Sequence, residues 1–180
     1  MAVVNIGGIS NISILRSASQ LATTGEGHAK AAITGFDCGP GNALMDHWVH
    51  LHHGKDYDAN GAWAAQGQVI SSLLQSLLAE AFLHQTPPKS TGRDLFNATW
   101  LQHHLQNEFA AVDVQATLCE FTALAIANDL KRHAPDAKQL WVCGGGALNG
   151  HLMSRLQAHV PGGVQVASTE AHGLPPLQVE

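Results

Sequence analysis

Three times in this 180-residue chain an apolar run breaks into a cluster of glycines, and that repetition restricts the fold more than any other feature. The clusters are Asn5-Ile-Gly-Gly-Ile-Ser-Asn11 directly after Ala2-Val3-Val4, Gly35-Phe-Asp-Cys-Gly-Pro-Gly-Asn42, and Val142-Cys-Gly-Gly-Gly-Ala-Leu-Asn149. Adjacent glycines let backbone approach a ligand with no Cβ in the way, and successive N–H groups in such a turn can form a concave anion site. Taken singly, each cluster reads as a tight connection. Three at strand ends, two of them leading into helices, point to the ligand edge of an α/β sheet, where strand carboxyl ends and helix N-termini gather. None has the spacing of a dinucleotide fingerprint or a P-loop.

The pattern between the clusters fits an α/β domain. The first forty residues predict a β-meander with strands over Val3 to Ser10, Asn11 to Ser17 and Ala31 to Phe36, and a polar turn from Ala18 to Lys30. Leu44, Met45, Trp48, Val49 and His52 keep helical spacing between an N-cap at Asn42 and a C-cap glycine at Gly54. Val69, Ile70, Leu73, Leu74, Leu77, Leu78, Ala81 and Phe82 predict one long helix through residues 66–84, stopped by Thr86-Pro87-Pro88. A weaker helix follows over 94–107, and a strong one from Val114 to His133, opened by Asp113 and closed by Lys131, Arg132 and His133. The finish is β-α-β: Leu140 to Cys143, His151 to His159 and Val164 to Ala167. The first glycine turn lies so near the first residue, and the chain stops so soon after a proline pair, that both ends read as cut.

Charge and composition narrow the partners. A net charge of −5 with no lysine or arginine cluster argues against a nucleic-acid or anionic-membrane surface, so a small anion would be held mostly by backbone dipoles. No apolar segment reaches membrane-spanning length and no secretory signal is present, which makes the cytoplasm the expected location. Cys38, Cys119 and Cys143 are isolated thiols and read as small buried residues, with neither a disulfide framework nor a zinc site indicated. His47, His50, His52 and His53 lack an HExxH pattern or an acidic third ligand, so no metal site is assigned to them. Trp48, Trp63, Trp100 and Trp141 read as core, and Asp46, Asp56 and Asp58 as structural carboxylates. Glu120 falls mid-helix among Leu118, Phe121 and Leu124, either turned inward to an unnamed polar partner or on the wet edge.

Five motifs in fixed order carry a resemblance that covers nearly the whole chain. Asn5 to Ile12, Gly35 to Asp46, Asp58-Ala-Asn-Gly-Ala-Trp-Ala64, Pro88-Lys-Ser-Thr-Gly-Arg-Asp94 and Val142 to Asn149 together resemble the anhydro-N-acetylmuramic acid kinases. The resemblance implies the superfamily of sugar kinases, actin and heat-shock chaperones, with two ribonuclease-H-like domains around a nucleotide cleft. It implies use of ATP and a divalent metal, Mg2+, to convert 1,6-anhydro-N-acetylmuramic acid to the 6-phosphate with opening of the anhydro ring by water. It further implies that residues 1–180 are the C-terminal nucleotide-binding domain, without the N-terminal domain that holds the first phosphate loop and the general base, and without a last helix. A homodimer is expected of the full-length protein. The 180 residues alone are expected to bind ATP feebly and to show no kinase activity.

Residue by residue, Gly7, Gly8, Ser10 and Asn11 match the second phosphate motif, whose N–H groups and hydroxyl would face the β- and γ-phosphates. Gly144, Gly145, Gly146 and Asn149 match the adenosine motif. Asp37, Gly39, Gly41 and Asn42 are carried over as cofactor-binding, with two readings of Asp37 open: it could hold a metal-bound water, or organise a turn and helix cap with Asn42. Lys89, Ser90, Thr91 and Arg93 form the compact cationic and hydroxyl group, expected to contact the sugar's lactyl carboxylate or a phosphate, since arginine grips such groups bidentately. A solvated loop or subunit contact is the competing reading. Two other functions fit the same glycine loops: a different sugar kinase of the superfamily, and a non-catalytic nucleotide-binding module.

Overall fold

The computed structural model describes residues 1–16, 33–105 and 108–178. Five strands form one mixed sheet in the order β3-β2-β1-β4-β5. Strands β1 (Ala2–Ile6), β2 (Ile9–Leu15) and β3 (Ile33–Pro40) make the antiparallel meander; β4 (Gln139–Cys143) and β5 (Gln165–Ser168) add in parallel beside β1. The expected turn from Ala18 to Lys30, and the predicted strand ends at Ser17 and Ala31, lie outside the described residues.

Period-two alternation sets the sheet's two faces. Val4, Ile6, Ile12, Ile14, Phe36, Cys38, Leu140 and Val142 are buried and join Leu118, Phe121 and Ile126 in one core. On the opposite face the laterally paired Val3, Ser13 and Trp141 are only half-buried. Helix α1 (Ala43–His53) ends at Gly54, whose φ of 65° closes a left-handed cap onto the His50 carbonyl, as its sequence predicts. Helices α2 (Ser71–Leu78) and α3 (Ala98–His104) flank α4 (Ala111–His133), which is buried along most of its length, and α5 (Gly150–His159) crosses between β4 and β5.

Three expected boundaries move. The first hairpin turns at Gly7-Gly8 rather than after Ser10, since Ile6 pairs with Ser10. The long helix predicted over 66–84 is instead a 3-10 turn at Ala64–Gln66, the short α2 and another 3-10 turn at Ala81–His84. Its first part is unwound because α4 takes its backbone: Gln68 N–H donates to Asp113 Oδ1 at 2.7 Å and Ile70 N–H to Thr117 Oγ1 at 2.9 Å. Gly67 packs so tightly on α4 that a Cβ would come within 2.3 Å of the Val112 carbonyl oxygen. Apolar periodicity alone sees none of these tertiary acceptors. Asp113 therefore serves this segment from inside the first turn of α4, whose N-cap position is Ala110. The weak helix predicted over 94–107 contracts to α3, with Asn97 accepting from the Trp100 N–H at its start.

Candidate functional site

The three glycine clusters meet at the carboxyl ends of β1 and β4. The Gly7-Gly8 turn is fixed from below by the entry to α1: Gly41 N–H donates to Gly8 O at 2.9 Å, and Asn42 N–H to Gly7 O at 2.7 Å. The approach is so close that a Cβ on Gly41 would lie 2.2 Å from the Gly7 carbonyl oxygen. With a third from Ala43 N–H to Gly8 O at 3.2 Å, these bonds consume the carbonyls of the turn. Among the described residues no backbone carbonyl accepts from Gly7 or Gly8 N–H, which leaves those donors for an anion.

The β4 loop divides its glycines between support and surface. Gly144 sits at φ 79°, where a Cβ would meet Asn5 Oδ1 at 2.2 Å, and a Cβ on Gly146 would meet the Ile6 side chain at 2.4 Å. Both are buried against β1. Gly145 alone of the three is exposed, and it lines a groove of about 330 Å³ with Asn42, Met45, Asp46, Tyr57, Asp58, Asn60, Leu148, Asn149 and Leu177. Tyr57, Leu148 and Leu177 are more than half exposed there, an apolar rim beside a bare glycine floor. Asn149 Oδ1 accepts from Leu152 N–H at 3.0 Å and Asn60 Oδ1 from Gly150 N–H at 2.9 Å, so side chains close the start of α5 and the groove is walled by polar groups already in place. Asp58 anchors the same loop by accepting from Trp63 and Ala64 N–H, each at 2.9 Å.

Arg93 reaches this site from the Lys-Ser-Thr-Gly-Arg loop. Its guanidinium turns its Nε–Nη2 edge to Gly8: a Cβ there would come 2.7 Å from Nη2 and 2.8 Å from Nε, with Cζ farther off at 3.2 Å. Asp46, half-buried on α1, faces the same space; desolvation raises its carboxyl to about 6, with the Arg93 charge pulling the other way. The Gly7-Gly8 turn, Arg93 and the groove thus adjoin.

Several expected ligand residues point elsewhere. Ser10 falls on the inward face of β2, is fully buried, and donates its hydroxyl to Pro40 O at 3.0 Å, so it does not face phosphates. Gly39 is buried at φ 144° against Leu83 and Ala125, a packing position. Lys89 turns into the core: its Nζ is buried 2.8 Å from Asp129 Oδ2 on α4 and 4.9 Å from the Phe82 ring centre. Asn42 takes the N-cap position without capping, because its Nδ2 donates to Ile6 O at 3.0 Å. Asp37 fits the turn-organising reading of the two. Its Oδ1 accepts from Asn11 Nδ2, and its Oδ2 from Ser90 Oγ and Thr91 N–H, each at 2.8 Å. Ser90 and Asn11 are thereby tied to Asp37 rather than turned to the groove.

Other groups settle as structure. Glu120 has the partner its sequence position does not name: Arg155 forks onto it at 2.6 and 2.8 Å, and His159 Nε2 stands 2.6 Å away, joining α4 to α5. His52 and His53 pack on Trp48 and Trp63. Among the described residues no cluster of three or more His, Cys, Asp or Glu side chains is arranged to hold a metal. The same residues contain no helix long and apolar enough to cross a membrane.

Of the groove residues, sequence reasoning named Asn42, Gly145 and Asn149 as ligand contacts and missed Met45, Asp46, Tyr57, Asp58, Asn60, Leu148 and Leu177. Asp46 closes the Gly35-to-Asp46 motif and Tyr57 adjoins the Asp58 motif, so a signal was present for both. Leu177 has none.

The fold has known counterparts. The activator of 2-hydroxyisocaproyl-CoA dehydratase from Clostridium difficile, solved with bound ADPNP, matches 93% of this chain and 53% of its own at a TM-score of 0.53 and 16% identity. Xylulose kinase from Rhodospirillum rubrum matches 93% of this chain and 34% of its own at a TM-score of 0.55 and 14% identity. The domain is therefore of the actin-like ATPase and sugar kinase fold. In sequence, the chain is 56% identical over 182 residues to the anhydro-N-acetylmuramic acid kinase of Variovorax paradoxus (strain S110), covering 100% of this chain and 46% of that protein. It spans about half the length of the curated relatives it matches. The family model for anhydro-N-acetylmuramic acid kinase matches residues 1–180, and the chain belongs to that family.

Proposed function

We propose that this chain is the C-terminal, nucleotide-binding domain of a kinase that phosphorylates 1,6-anhydro-N-acetylmuramic acid with hydrolytic opening of the anhydro ring, in the recycling of cell-wall sugar in the cytoplasm. The observation that carries the reading is the convergence of free Gly7 and Gly8 amides, Arg93 and the bare floor at Gly145 in a chain matched throughout by the kinase family. The residues fit a nucleoside triphosphate. A groove of about 330 Å³ with an apolar rim and a few fixed polar groups suits a nucleoside. The phosphates would extend from Gly145 towards the Gly7-Gly8 amides and the Arg93 guanidinium, which can bind phosphate bidentately. ATP with Mg2+ supplies the transferable phosphoryl group. The chain's own share is to position the phosphates and offset their charge, the main protein contribution in phosphoryl transfer. The general base belongs to an N-terminal domain that would close over this face, and the working protein is a homodimer.

The test is activity in two forms. The 180 residues alone are expected to show no turnover of the anhydro sugar with ATP and Mg2+. The same residues joined to the family's N-terminal half are expected to yield the 6-phosphate. Turnover by the chain alone would overturn the division of labour. Phosphorylation of a different sugar by the joined protein, with the anhydro sugar untouched, would favour another sugar kinase of the superfamily.

A further inference from the structure

The Lys-Ser-Thr-Gly-Arg loop is held at three levels, and its arginine faces the site. Lys89 at its start is buried, its Nζ 2.8 Å from Asp129 Oδ2 beneath the sheet edge, with side-chain exposures of 0% and 2%. Its backbone lies beside β3, where Asp37 N–H donates to Lys89 O at 3.2 Å. Asp37 then gathers Ser90 and Thr91 through its Oδ2, while its other oxygen is fixed by Asn11, its direct partner across β2 and β3. Downstream, Leu95 and Phe96 N–H groups turn back to Gly92 O, and Phe96 is buried in the core. Arg93 is thus strung between two fixed points with its guanidinium over Gly8. Among the described residues no hydrogen bond holds that guanidinium.

We infer that Asp37, backed by the buried Lys89–Asp129 pair, is a positioning residue that sets the Arg93 guanidinium over the Gly7-Gly8 turn, where it meets an anionic phosphate. Asp37 acts through Arg93, its Oδ1 held by Asn11 and its Oδ2 by Ser90 and Thr91. This rests on the nucleotide reading above. The arrangement keeps an exposed, flexible side chain in one place before the ligand arrives, which lowers the ordering cost of binding.

The test is a double-mutant cycle in the joined kinase with Asp37→Asn and Arg93→Ala, reading the KM for ATP and kcat at several Mg2+ concentrations. Each single change is expected to raise the KM for ATP about tenfold, the loss of one good charge-assisted contact. The double variant is expected to match Arg93→Ala alone, with an unchanged Mg2+ dependence. Additive losses, or a higher Mg2+ requirement in Asp37→Asn, would overturn the inference. Ser90→Ala removes one donor to Asp37 and repeats the cycle should Asp37→Asn fail to fold. Amide hydrogen exchange over residues 88–94 in the 180-residue chain gives a second readout that needs no turnover. It is expected to accelerate in Asp37→Asn and Ser90→Ala, and unchanged exchange would overturn the clamp. A wild-type kinase inactive with ATP would instead count against the nucleotide reading and leave the exchange result to decide the clamp.

Discussion

Removing the Asp129 carboxylate should unsettle this domain more than removing its lysine partner. Asp129→Asn leaves the Lys89 ammonium fully buried between the Phe82 and Phe36 rings, 4.9 and 5.8 Å from their centres, with no counter-charge. The ring contacts exist already in the wild type, so they offset nothing new. Breaking a buried ion pair from one side costs about 3–5 kcal/mol, a large share of the roughly 5–15 kcal/mol that holds a domain folded. For a chain of this size that is a fall in Tm of roughly 6–20 °C. Lys89→Met is gentler, because Asp129 keeps the Arg132 charge at 3.9 Å. Its expected cost is about 1–3 kcal/mol, the penalty of a partly satisfied buried group. Replacing both by apolar residues, as Lys89→Met with Asp129→Leu, should recover most of the loss. Urea titration of the purified chain, with m unchanged between variants, measures all three. The reasoning is refuted if Asp129→Asn costs under about 1 kcal/mol, or if Lys89→Met costs more than Asp129→Asn.

Three further outcomes follow from the same geometry. A Cβ on Gly145 would meet only Asn42 Nδ2 at 3.4 Å, so Gly145→Ala should fold normally, whereas Gly145→Leu should fill the groove and raise the KM of the joined kinase for ATP by about tenfold, or 1.4 kcal/mol, with little change in Tm. Desolvation raises Asp46 to about 6 from an unfolded value near 3.8, so folding disfavours its charged form. The stability it contributes relative to Asp46→Asn is present below pH 4 and lost as pH rises through 6; a Tm difference between the two proteins that stays flat from pH 4 to 7 would contradict this. At Glu120 burial alone would raise the carboxyl, but the bonds from Arg155 and His159 more than offset it and hold it below the usual 4.5. Its stabilisation is therefore present above that value and lost as pH falls below it, and Glu120→Gln should cost roughly 1.5–3 kcal/mol at pH 7 by thermal or urea unfolding.

Much of the fold was legible because its signals are local. A short apolar run marked β4, a φ-permissive glycine marked the end of α1, and the order of five motifs marked the family. The failures fell where distant chain decides. Residues 66–84 carry a helical apolar face, yet Asp113 and Thr117 on α4 claim their first amides and leave only Ser71–Leu78 as helix. Ser10 and Asn11 are neighbours in one motif, but strand alternation turns the first inward to Pro40 and the second outward to Asp37.

The architecture, the family and the three backbone turns at which a ligand can come close are written in hydrophobic period, motif order and the places where a Cβ is missing. Which residues of those motifs reach the groove is set by contacts between distant segments. Gly145 faces it while Gly144 and Gly146 brace against β1, and Arg93 faces it while Lys89, four residues earlier, is drawn into the core by Asp129. Direction is set by partners far along the chain, which no local pattern encodes.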